Sequence, residues 1–216
     1  MHRELITLIV RFWLWVRLFS TAHSPLIPAP TLTVKPLIII LLGLLPLHIM
    51  PAYEREFPRT AVDTIEVKTL PASRLLASHS DGNYFQSDNG LFMPLFRYIQ
   101  SNDIAMTTPV EAEIEPGIMY FYVGSDYADA ELEGTDDVSI IELPERTVLS
   151  IGVRGSYSAE NFARAKAALL THLAGQNTWS ATGSARAIYW NGHYTPGIFK
   201  RSEIHLPVAK STSETE

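Results

Sequence analysis

The chain has 216 residues, 46% of them hydrophobic, enough for one packed domain with additional segments. It contains no cysteine, which excludes disulfides and thiolate-bound metals. Four of the 17 basic residues (Arg3, Arg11, Arg17, Lys35) and one of the 23 acids (Glu4) precede residue 53, so the remainder carries 13 basic and 22 acidic residues, a balance of −9. Phosphate binding needs clustered Lys and Arg, so this acidity argues against a nucleic-acid partner.

Two apolar stretches lie at the start. Residues 5–19 are interrupted by Arg11 and Arg17, and Phe12, Trp13 and Trp15 spread around the helical wheel. Residues 20–36 are rich in Pro, Ser and Thr and read as an irregular linker. Then Lys35, an apolar run over 36–50 and the small residue Ala52 follow the grammar of a secretory signal peptide. The run is slightly short for a transmembrane helix, which needs about 20 residues. Residues 34–52 are therefore read as a signal peptide or membrane anchor, and 1–33 as an N-terminal extension upstream of an alternative start at Val34. Export, to a periplasm or membrane surface, is the expected location of a bacterial product of this design.

From Tyr53 the composition becomes mixed. Residues 70–84 (LPASRLLASHSDGNY) overlay 143–157 (LPERTVLSIGVRGSY) at a constant offset of 73. Leu70, Pro71, Leu76, Gly82 and Tyr84 meet Leu143, Pro144, Leu149, Gly155 and Tyr157. A helix follows each copy. Over 91–100, Leu91, Phe92, Leu95, Phe96 and Ile99 recur at helical spacing. Over 159–174 the apolar face is Phe162, Ala165, Leu169, Leu170 and Leu173, with Ser158 as N-cap. Strands are predicted near 63–69, 74–80, 106–114 and 119–124, then near 138–142, 147–154, 186–190 and 199–207. The acidic stretch 124–137 reads as a solvated connector, because its spacing matches no calcium loop. Two strand-strand-helix-strand-strand units bury their apolar faces best as one α+β domain over 53–208. Its form would be a distorted antiparallel eight-stranded sheet or barrel with two flanking helices, and residues 209–216 would be a disordered tail.

The wording of 91–110 (LFMPLFRYIQSNDIAMTTPV) resembles the SOUL/haem-binding-protein family, whose hallmark is a helix F-x-x-L-F-x-Y-I followed by I-A-M-T-x-P-V. Those positions are Phe92, Leu95, Phe96, Tyr98 and Ile99, then Ile104, Ala105, Met106, Thr107, Pro109 and Val110. Tyr53-Glu54 is similar to the family's opening. His193-Tyr194-Thr195-Pro196 and Lys200-Arg201-Ser202-Glu203-Ile204 are similar to its G-Y-x-P-P and R-R-N-E-[IV]. Ser202 stands for the usual Asn, His193 for Gly and Gly197 for the second Pro, and only Asn102 and Asp103 bridge the helix to I-A-M-T.

The resemblance implies non-covalent haem or tetrapyrrole binding in a carrier or buffer role. A haem site needs an apolar cleft, cations for the propionates and, optionally, an axial His, Met or Tyr. Carried over, this points to Met93 and Arg97 on the first helix and to Tyr194, Lys200 and Arg201 near the end. His193, in a loop, is the axial candidate; His79, His172 and His205 lie on predicted strands or a helix and form no ligand pattern. The alternative is a non-haem, effector-type binding module using Glu203 with Tyr84, Tyr157 and Trp190. In that setting Glu203 either meets a cationic ligand or pairs with Arg201 or another strand cation. No G-x-S-x-G, P-loop or cysteine nucleophile is present, so no catalysis is expected.

Overall fold

The computed structural model describes residues 56–86, 90–127 and 130–211. The segments 1–33 and 34–52 and the end of the tail lie outside the described residues. In chain order the elements are β1 (Ile65–Leu70), β2 (Ser73–Ser80), α1 (Phe92–Ser101), β3 (Val110–Glu113), β4 (Gly117–Tyr122), β5 (Ser139–Leu143), β6 (Arg146–Arg154), α2 (Ala159–Ala174), β7 (Trp179–Ala181), β8 (Arg186–Tyr189) and β9 (Arg201–Lys210). The expected α+β architecture is present: an antiparallel sheet ordered β1-β6-β9-β8-β3-β4-β2-β5, with two helices packed on it. Equating β1 with β5, β2 with β6, β3 with β8 and β4 with β9 makes this order read the same from either end. The seam is β3–β8, where Ala112 faces Ala187 and both are fully buried.

The short β7 was not foreseen; it pairs with the end of β9. β9 runs to Lys210, two residues into the segment expected to be a disordered tail. The third strand starts at Val110 rather than 106, because Ile104 to Pro109 approach the sheet as a loop with a cis Thr108–Pro109 bond.

Both helices lie on one sheet face. α1 buries Leu91, Leu95, Tyr98 and Ile99 against Leu76, Met119 and Phe121. Tyr98 thus belongs to the core stripe, with its hydroxyl donating to Glu133 O at 2.7 Å, while Phe92 is half out of it and stacks on Phe96. α2 buries Ala165 and Leu169 over Leu149, Ile151, Ile204 and Leu206, but Leu170 faces outward. Its N-cap is as expected: Ser158 Oγ accepts from Asn161 N at 3.2 Å. The other sheet face carries a third core of Phe57, Leu75, Tyr120, Tyr122, Ile188 and Trp190. Burying a large apolar side chain contributes about 1.5–3 kcal/mol, so these three clusters supply most of the driving force.

Candidate functional site

The helix-free face is built by alternation along β9. Ile204 and Leu206 point toward α2, which turns Arg201, Glu203 and His205 to the opposite side. Cross-strand register sets Arg154 beside Arg201, Gly152 beside Glu203 and Ser150 beside His205. Residues 57–62 cross this face as a strap. The strap is docked by Asp63 N donating to Gly152 O at 2.9 Å, and Gly152 permits the approach because a Cβ there would sit 2.2 Å from Ala61 O. Phe57 inserts its ring edge-on between Tyr122 and Trp190, with centroids 5.9 and 5.4 Å away.

Glu203 is 1% exposed and saturated with donors. Oε1 accepts from Thr60 N and Trp190 Nε1, both at 2.8 Å. Oε2 accepts from Thr60 Oγ1, Lys68 Nζ and Ser150 Oγ, each at 3.0 Å, and lies 2.9 Å from His205 Nε2. Burial pushes the carboxyl up, but the hydrogen bond from His205 and the Lys68 ammonium outweigh it and hold the group at about 2. An ionised carboxylate only accepts, so His205 donates through Nε2. Its own burial lowers its pKa, leaving the ring neutral. Of the two partners considered for Glu203, the strand cation is the one present: it is Lys68, and not Arg201. The carboxylate therefore offers no free charge to a cationic ligand; it orients Trp190 and fastens the strap.

A second buried carboxylate, Glu111, is ion-paired with Arg146 at 2.6 Å and Arg186 at 2.8 Å and accepts from Tyr122 Oη. Burial would raise this carboxyl; the two guanidinium groups hold it below the ordinary range.

Where β6 and β8 end and β9 begins, a cleft of about 480 Å³ opens between the strap and the sheet. It is lined by Arg59, Arg154 and Arg201 together with Val62, Val153, Trp190 and Ser202. The Arg59 guanidinium lies over the Trp190 ring, 4.8 Å from its centroid. Among the described residues neither Arg154 nor Arg201 has an ion-pair partner. Like charges directly opposite on neighbouring strands repel, so this arrangement costs stability unless an anion lies between them.

Beside the cleft runs the β8–β9 connection, residues 190–200, which carries His193, Tyr194 and Lys200. Its base is fixed. Tyr157 Oη accepts from Asn191 N at 2.8 Å and donates to Arg201 O at 2.9 Å, while Asn191 Oδ1 accepts from Arg201 N at 2.7 Å. Lys200 Nζ lies over the Tyr157 ring at 4.8 Å. His193 and Tyr194 are exposed and meet edge to face.

Of the residues named from the sequence, the structure groups His193, Tyr194, Lys200 and Arg201 at this end of the sheet. Met93 and Arg97 lie on the exposed side of α1 and do not line the cleft. Tyr84 stacks on Tyr189 and Tyr157 meets the same ring at a tilt, on the helix side and away from Trp190. The sequence reading did not name Arg59 or Arg154. The alternation Arg201, Glu203, His205 was visible and marks the polar face; its partners on β6 and the strap depend on register.

The chain is an α+β protein of the curled antiparallel type, with an arginine-lined cleft at one end of its sheet. The family model described as SOUL heme-binding protein matches residues 50–207. The chain belongs to this family of binding proteins. Comparison with curated protein sequences finds no match. Among solved structures, the chain is similar to the EcmrR C-terminal domain, with TM-score 0.53 and 16% identity over 68% of this chain and 98% of that one. EcmrR in its DNA complex gives TM-score 0.53 and 17% identity over 68% of this chain; the chain spans 57% of that protein's length. A protein from Listeria innocua described as a hydrolase gives TM-score 0.46 at 12% identity, over 69% of this chain and 94% of that one. At these identities the EcmrR likeness shows the fold alone, and the third match adds no argument. Among the described residues no helix is long and apolar enough to cross a membrane.

Proposed function

We propose that the protein binds haem or a related tetrapyrrole non-covalently at the β6–β8–β9 end of the sheet, as a carrier or buffer at a membrane or in an exported compartment. The observation that supports this reading is the cleft with Arg59, Arg154 and Arg201 around the flat wall of Trp190. A haem presents two carboxylates at one edge and a flat apolar macrocycle, and these meet guanidinium groups and an indole. His193, in the adjoining loop, is the residue for an axial contact. The family membership favours haem over other dianionic ligands. Export rests on the signal-like grammar of residues 34–52, and the acidic surface argues against nucleic acid.

The test is a haemin titration of the full chain followed in the Soret band. Saturable, roughly equimolar binding at micromolar haemin is expected, and Arg201→Glu weakens it at least tenfold. His193→Ala shifts the spectrum if the imidazole reaches iron. The absence of saturable binding at micromolar haemin overturns the proposal.

A further inference from the structure

The most exposed apolar side chains among the described residues are gathered in one connection. Tyr194 is 97% exposed, Ile198 70% and Phe199 61%. Side chains of this size on a soluble monomer normally scatter singly; three within six residues of one loop mark a contact surface. The single turn Gly197–Phe199 presents Ile198 and Phe199 together. That turn is held close to the body, since Gly197 approaches Ser156 so nearly that a Cβ would come 2.3 Å from its Oγ. The tip is thus apolar while its base is locked by Tyr157 and Asn191.

Around this tip the charge reverses relative to the rest of the domain. Residues 186–202 contain no Asp or Glu, and the β6–α2 turn below it, 152–159, contains none either. The same two segments supply Arg154, Lys200 and Arg201, with Arg59 alongside. An apolar wedge with a cationic collar, on a domain that is otherwise acidic, is complementary to an anionic lipid surface. The rings enter the acyl boundary and the collar meets the headgroups.

We infer that the β8–β9 tip, residues 194–199, docks the domain onto anionic membranes, inserting Tyr194, Ile198 and Phe199 between headgroups paired with Lys200, Arg201 and Arg154. The inference does not rest on haem binding, and its test contains no haem.

The chain lacks cysteine, so a single introduced thiol labels uniquely. The full chain carrying Ile198→Cys is coupled to an environment-sensitive fluorophore and reconstituted into vesicles of phosphatidylglycerol or of phosphatidylcholine. A Leu170→Cys chain, labelled on the exposed side of α2, serves as reference. This readout is insensitive to attachment through residues 34–52, because both labelled chains share it. On phosphatidylglycerol, emission at position 198 shifts to the blue and is quenched by brominated lipids. It reverts in high salt, while position 170 stays aqueous. Adding Lys200→Glu lowers the inserted-to-free ratio about twenty-five-fold, two charge units at roughly fivefold each. An aqueous signal at 198 on anionic vesicles, equal signals at 198 and 170, or a label already shielded without lipid would each overturn the inference. The last outcome would instead indicate a protein contact.

Discussion

Arg154 on β6 and Arg201 on β9 stand directly opposite each other, on the same side of the sheet, with no acid between them. Their repulsion is an energetic cost to the fold, and it sits beside an aromatic wall. Arg154→Glu would convert it to a cross-strand ion pair. The expected result is a protein more stable by about 0.2–1 kcal/mol in urea denaturation, with haemin affinity reduced at least tenfold. A loss of both stability and binding would show that Arg154 is needed for folding and would leave the cleft unsupported.

Glu203 holds the strap, Trp190, Lys68 and His205 in one network. Glu203→Gln removes the charge that Lys68 needs and cannot accept all the same hydrogen bonds. The predicted cost is about 3 kcal/mol, read from urea midpoints at unchanged m-value. The indole emission of Trp190 should shift as well, since the acceptor of its Nε1 changes from a carboxylate to a neutral amide.

Acid should destabilise the protein through the same network, in two steps. The folded-state pKa of His205 lies below its ordinary 6.5, so the unfolded chain takes up that proton first. Stability therefore begins to fall as pH drops below about 6.5. Glu203 is held at about 2 against an ordinary 4.5, so its contribution is complete above 4.5 and is lost as pH falls toward about 2. His205→Gln should remove the upper step and retain the lower one. Urea midpoints measured from pH 8 to 3 distinguish the two; an unchanged upper step assigns it to another group.

Gly152 lets the strap lie against β6. Gly152→Ala would place a methyl against backbone rather than a movable side chain. The expected penalty is about 1–3 kcal/mol. Amide exchange should rise at residues 60–64, and haemin affinity should fall because Arg59 is carried by the strap. Binding unaffected by a displaced strap would remove Arg59 from the site.

Tyr157→Phe deletes the hydroxyl that ties Asn191 to Arg201. A destabilisation of about 1–3 kcal/mol is expected, because Asn191 N loses its acceptor while Arg201 O keeps only Trp190 N. Faster exchange across residues 191–200, with α1 unchanged, checks that the effect is local.

The two helices and most strands were legible from periodicity, since 3.6- and two-residue repeats reflect which side chains face the core. Leu95 and Ile99 on α1, and Ala165 and Leu169 on α2, were read correctly for that reason. Phe92 and Tyr98 exchanged roles because helical spacing leaves the edges of an apolar stripe undecided until a sheet covers one of them. β7 escaped because three residues carry too little pattern, and it exists only as a partner for β9.

The motifs in 91–110 and 193–204 determined, by themselves, the family, and they named one residue of the cleft lining, Arg201. They placed Arg201, Lys200, Tyr194 and His193 at the end of the chain where the cleft opens. Only the tertiary structure decided what stands opposite. The β6–β9 register brings Arg154, 47 residues earlier, against Arg201, and the strap brings Arg59 over Trp190. It also decided that Glu203 spends its charge on Lys68 and His205 instead of Arg201. Register and loop docking depend on close packing summed over the whole sheet, and no local run of residues encodes that sum.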